Sequence, residues 1–96
     1  MTEAKTLFSL GYRKFEKLNF KSAINYFTQV IAIKPNIADV YYWRGQAKQI
    51  LKHYQGAIND YEEAIKINPH NPKYYVGSGS SKFAFKCYLD ALEEKT

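Results

Sequence analysis

A period of 34 residues constrains this chain more than anything else it contains. Gly11 recurs as Gly45 and Gly79, Ala23 as Ala57 and Ala91, and Phe20 as Tyr54 and Tyr88, while Pro35 recurs as Pro69. One match of this kind means little. Four residue classes held in one register, with no insertion, mark a stacked array of helical hairpins. The middle copy, Ala38 to Pro69, reads as two amphipathic helices joined by a tight turn. A lone hairpin cannot hide its apolar face, so each copy has to stack on the next. The expected fold is all-α, a single domain over residues 1–96 of tandem antiparallel hairpins. Its repeats fall at about 4–37 and 38–71, with a partial third at 72–96.

Local signals place the elements. The first helix is expected over Glu3 to Lys17, with a turn at Leu18-Asn19 and Asn19 as N-cap of the next helix, Phe20 to Ile33. Pro35 follows because the chain has to leave the helix there. Asn36, with Asp39 three residues on, reads as a capping box for a third helix ending near Leu51. Lys52-His53 makes the second turn, and the fourth helix covers Tyr54 to Ile67. Asn71-Pro72 opens a fifth helix as N-cap and first-turn proline. That helix carries Gly77 and Gly79, each costing roughly 0.8–1 kcal/mol against alanine. Cys87 stands at the register position of His53, so a third turn is expected there, followed by a short sixth helix over Tyr88 to Glu94.

The recurring small residues are packing devices. Gly11, Gly45 and Gly79, with Ala23, Ala57 and Ala91, mark places where two backbones cross closely. Phe27 and Tyr61 are the bulky residues that face the next hairpin, and Lys95 stands at their position in the third copy. Arg44 on one helix and Asp60 on its hairpin partner are expected to meet, because a guanidinium near a helix seam requires a carboxylate. Lys14, Lys48 and Lys82 form a ladder at the repeat period, read either as stems lying over the seam or as a row of cations for an acidic ligand.

The pattern of aromatic, small residue, alanine, aromatic, alanine and proline is carried by Tyr41, Gly45, Ala57, Tyr61, Ala64 and Pro69. The first copy carries it as Leu7, Gly11, Ala23, Phe27, Val30 and Pro35, and the third begins it with Tyr75, Gly79 and Ala91. On these residues the chain resembles the tetratricopeptide-repeat family over nearly its whole length. The resemblance implies a right-handed superhelix whose first helices line a concave groove for a peptide or helix of a partner protein, and no enzymatic activity. It places Lys5, Phe8, Ser9, Tyr12, Phe15, Tyr42, Trp43, Gln46, Gln49, Lys73, Val76, Ser80 and Phe83 along that groove. One subgroup of the family grips the C-terminal carboxylate of chaperone tails. The matching positions here read Phe8, Tyr12, Trp43, Lys73 and Gly77, and only Lys73 fits.

Charge bears on partners. The first helices of the three copies, residues 3–18, 37–52 and 71–86, hold ten basic and three acidic residues, while the rest hold four and six. A basic layer favours acidic partners. A second reading makes the same layer a single-strand nucleic-acid surface, with tyrosines for stacking; a third is self-association through Phe83, Phe85, Tyr88 and Leu92, left uncovered by the cut-short third hairpin. No phosphate-binding loop or paired carboxylates mark catalysis, and no cofactor or metal is expected: His53, His70 and Cys87 are too far apart in a stacked array to share an ion. The single cysteine, the absence of a leader-like start and the lack of a long apolar run lead us to expect a soluble, cytoplasmic chain that does not enter membranes.

Overall fold

A computed structural model of the protein describes residues 2–94. They form five helices: α1 (Thr2–Glu16), α2 (Phe20–Ile33), α3 (Ala38–Ile50), α4 (Tyr54–Ile67) and α5 (Pro72–Glu94). Pairs α1–α2 and α3–α4 are hairpins, and α5 packs on α4 and touches α3. First helices thus lie beside first helices, in one layer, and α2 and α4 form the other. Among the described residues no helix is long and apolar enough to cross a membrane.

Both hairpin turns are built the same way. Leu18 and Lys52 adopt left-handed backbone, at φ 64° and 67°. The amide of Asn19 then donates to the carbonyl of Lys14 (2.9 Å), and that of His53 to Lys48 (2.8 Å). This six-residue closure satisfies the last helical carbonyls. The left-handed residue costs on the order of 1 kcal/mol when it is not glycine, and packing of the second helix onto the first offsets that cost. Asn19 caps α2 through its side chain, which accepts from the Ser22 amide at 3.3 Å. His53 makes no such bond.

Each second helix is anchored by one ring lodged against a glycine. A Cβ on Gly11 would lie 2.8 Å from the Phe27 ring, and one on Gly45 would lie 3.0 Å from Tyr61. Phe27 and Tyr61 are fully buried, as are Ala23 and Ala57. The first core gathers Ala4, Ala23, Phe27, Val30 and Val40; the second gathers Ala38, Tyr41, Ala64 and Tyr74. Pro35 and Pro69 end their helices in the same manner. The Tyr41 hydroxyl donates to the Pro35 carbonyl (2.8 Å) and the Tyr75 hydroxyl to that of Pro69 (2.9 Å), one repeat apart.

The third copy departs from expectation. No turn forms at Cys87, and no sixth helix exists as a separate element; α5 runs straight from Pro72 to Glu94. The physical reason lies in what a turn would gain. The anchoring ring of the earlier copies corresponds to Lys95, which lies outside the described residues, and a lysine offers no ring to bury. With nothing to offset the left-handed residue, the helix continues. Two packing assignments fail with the turn: Ala91 is exposed, and a Cβ on Gly79 would meet nothing within 4 Å. Gly77 is the glycine that packs, and a Cβ there would fall 2.6 Å from the Tyr61 ring. The capping box at α3 is also absent. Its N-cap is Ile37, one residue after Asn36, and it makes no side-chain bond. At the matching position Asn71 does cap α5, accepting from the Lys73 amide at 3.2 Å.

Candidate functional site

The groove positions lie along the layer made by α1, α3 and α5, and most of their rings are spent on one another. Tyr12, Phe15 and Tyr42 each meet Trp43 edge-on, with centroids 5.1, 5.3 and 5.2 Å away. Phe8 stacks on Tyr12 at 6.4 Å and tilts against the buried Phe27 at 5.6 Å. Tyr42 also touches Tyr61 and Tyr74. These residues form a half-buried wall across both hairpins, so Tyr42 and Trp43 hold the hairpins together as well as lining the surface.

Beside the wall, α3 and α5 enclose a polar pocket of about 310 Å³, lined by Tyr42, Gln46, Gln49, Lys73, Val76 and Ser80, among others. The buried Tyr61 is bonded to two of these lining residues. Gln46 Nε2 donates to the Tyr61 hydroxyl at 2.9 Å, that hydroxyl donates to Gln49 Oε1 at 2.7 Å, and Gln49 Nε2 donates to Ser80 Oγ at 3.0 Å. Burial pushes the Tyr61 hydroxyl well above the ordinary tyrosine range. Lys73 is committed too. Its Nζ sits 4.8 Å from the Tyr42 ring centre and 3.3 Å from Asp39. Phe83, at the register position of Gln49 and Phe15, is 71% exposed.

A second pocket, about 540 Å³ and mostly apolar, opens between α1, the end of α2 and the start of α3. Lys5 and Phe8 line it, together with Lys34 and Val40, which the sequence reading did not single out. A comparison of Val40 with Tyr74 across the repeat would have marked the position. The sequence makes Asp39 a capping residue. Instead it accepts a 2.6 Å hydrogen bond from Tyr74, whose hydroxyl is pushed up to about 12, first by burial and then by that carboxylate.

The seam between α3 and α4 holds an ion network. Arg44 grips Asp60 with two bonds, Nε to Oδ2 at 2.9 Å and Nη2 to Oδ1 at 2.7 Å, and reaches Thr28 of the preceding hairpin at 3.2 Å. Lys48 adds a third contact to Asp60 at 3.1 Å. Of the lysine ladder, Lys48 lies over Gly56 and Lys82 pairs with Glu62 at 3.6 Å. These two cations serve the helix seams, away from the polar pocket.

The residues proposed for self-association divide. Tyr88 and Leu92 are about half exposed, at 49% and 45%, and Phe83 is more so. Phe85 and Tyr88 both lie against Tyr54 of α4, with ring centres 6.2 and 6.3 Å away. His53 sits at the start of α4 and Cys87 is exposed within α5.

Comparison with known proteins follows this geometry. Residues 38–71 match the sequence model of the tetratricopeptide repeat. No curated protein matches the chain. Among solved structures, the chain is similar to the TPR2B domain of yeast Sti1, solved as a complex with pHsp70 (TM-score 0.86, 28% identity, 97% of this chain and 74% of that one). It is also similar to the TPR domain of Arabidopsis OM64 (TM-score 0.87, 24% identity, 95% and 75%). A third is the first TPR of Spaghetti (RPAP3), bound to the HSP90 peptide SRMEEVD (TM-score 0.85, 24% identity, 94% and 71%).

Proposed function

From a chain that is a tetratricopeptide-repeat domain, we propose a protein-interaction module whose α1–α3–α5 layer receives a peptide or helix of a partner protein. The observation that carries this reading is the polar pocket between α3 and α5. There Gln46, Gln49 and Ser80 are held in one hydrogen-bonded relay on a buried tyrosine, beside an aromatic wall. A site of this kind is already organised before anything binds, which lowers the entropic cost of association. The Sti1 domain, solved as a complex with pHsp70, supports the general role by likeness. The carboxylate grip of the chaperone-tail subgroup is not part of the proposal. Only Lys73 occupies a fitting position, and Asp39 already draws on its charge.

The test changes two pocket residues, the exposed Val76 and the half-buried Lys73, whose contacts with Tyr42 and Asp39 are lost in Lys73→Glu. Circular dichroism and thermal melts of Lys73→Glu with Val76→Asp first establish that the fold is kept. Native lysate is passed over the wild-type chain and over this variant. The variant is expected to lose most of the captured partner; identical capture by both would make the groove reading wrong. The edge-on packing of Tyr12, Phe15 and Tyr42 around Trp43 leaves few ring faces for bases, which favours a protein ligand over single-stranded nucleic acid.

We also propose self-association as a second role, favoured by the exposure of Phe83, Tyr88 and Leu92 along α5. Sedimentation at high micromolar concentration is expected to show a dimer that Leu92→Glu dissociates. A wild-type chain that sediments only as monomer would remove this role.

A further inference from the structure

The apolar pocket between α1 and α3 has a counterpart one repeat later, and the counterpart is filled. Advancing its lining by 34 residues carries Ala4 to Ala38, Phe8 to Tyr42, Val30 to Ala64 and Val40 to Tyr74. At the later place the Tyr74 ring is 2% exposed and packs in a core with Ala38 and Ala64. Its hydroxyl is held by Asp39 at 2.6 Å. At the earlier place a valine stands where that tyrosine stands, and the pocket of about 540 Å³ remains open. The chain therefore contains a worked example of what this pocket accepts: a six-membered aromatic ring entering between a first helix and the end of the preceding second helix.

The polar rim differs between the two places, and the difference specifies the ligand. Lys5 occupies the register position of Asp39, and Lys34 that of Asn68. Neither lysine is in an ion pair among the described residues. The one carboxylate in the lining, Asp39, is taken up by Tyr74 and by Lys73 at 3.3 Å. Where the filled pocket offers an acceptor to a phenol, the open one offers two cations.

We infer that this pocket binds an aromatic side chain of a partner protein that carries a carboxylate next to it, the ring filling the space Val40 leaves and the acid facing Lys5 and Lys34. The protein nature of the ligand rests on the groove reading above, because Lys5 and Phe8 belong to that same layer. The preference for a ring beside an acid does not rest on it.

Small probes test the pocket apart from any partner. Phenylpropanoate, its cationic counterpart phenylpropylamine, and acetate are titrated into the full chain while backbone amide shifts are followed. Phenylpropanoate is expected to shift Ala4, Phe8 and Val40 saturably, with a Kd on the order of millimolar for so small a ligand. The amine binds at least about fivefold more weakly, as repulsion from two nearby cations requires, and acetate leaves these amides unmoved. Val40→Tyr gives the pocket its own ring and is expected to weaken phenylpropanoate at least about tenfold, with the thermal midpoint kept or raised. Lys5→Glu with Lys34→Glu, both on the surface, reverses the preference between acid and amine and decides the matter if Val40→Tyr does not fold. Unsaturable or scattered shifts, undiminished binding by folded Val40→Tyr, or equal affinity for acid and amine would overturn the inference. The capture experiment with Lys73→Glu and Val76→Asp reads the groove independently, so either reading can fail while the other stands.

Discussion

Gly77 and Gly79 stand two residues apart in α5, and they predict opposite outcomes. Gly79→Ala removes a helix-weakening residue at a place where its methyl meets nothing, so it is expected to stabilise the fold by about 1 kcal/mol. Gly77→Ala drives a methyl into the Tyr61 ring and is expected to destabilise by about 1–3 kcal/mol despite the same gain in propensity. Thermal unfolding of the two variants gives the signs. Asp60 is nearly inaccessible and serves two cations, so Asp60→Ala leaves the half-buried Arg44 and Lys48 without their carboxylate. A loss of about 3 kcal/mol is expected in denaturant titrations, toward the low end for a broken buried pair because Arg44 keeps some contact with water. Tyr74 supplies a pH signature. Its folded pKa of about 12 lies above the ordinary value of 10.0, so the folded chain holds a proton that the unfolded chain releases. Its contribution is intact below pH 10.0 and is lost progressively as pH rises toward about 12. Tyr61 acts in the same direction. Melting temperatures are therefore expected to fall above pH 10.0, and Tyr74→Phe to fall less steeply.

At the scale of elements, the 34-residue register places four helices within a residue or two, because Gly11 and Gly45 each have a ring to receive and Leu18 and Lys52 each have a helix to turn back. The same register misplaces the last element. Gly79, Tyr88 and Ala91 all keep their positions, but the turn at Cys87 depends on a ring at position 95, where lysine stands. Sequence matches count residues, whereas a turn forms only if the packing it allows exceeds its backbone cost. The Arg44–Asp60 contact was readable, since both residue types and their spacing force it. The use of Asp39 was not, because its partner Tyr74 lies 35 residues away, on a helix two elements later. Backbone chemical shifts check the straight helix. Lys86 and Cys87 are expected to give helical values with no left-handed residue between Pro72 and Glu94; a left-handed signature at Lys86 would restore the turn.

Across the whole molecule, the candidate site was legible as a layer but not as a cavity. Phe8, Tyr12, Phe15, Tyr42 and Trp43 were assigned to one face, where they form one continuous wall. That their rings would engage each other, leaving the openings to Gln49, Ser80 and Val40, follows from side-chain packing that a period cannot reveal. The exposed pairs, such as Lys66–Glu63 and Lys86–Asp90, add little to stability; the shared rings do more. Tyr61 is wedged between Gly45 of its own hairpin and Gly77 of α5, and its hydroxyl is bonded to Gln46 and Gln49. Helices α3, α4 and α5 thus clasp a single side chain. Any ligand that prises α5 outward also slackens the amides on the opposite bank, so the two shores of the polar pocket give way in concert.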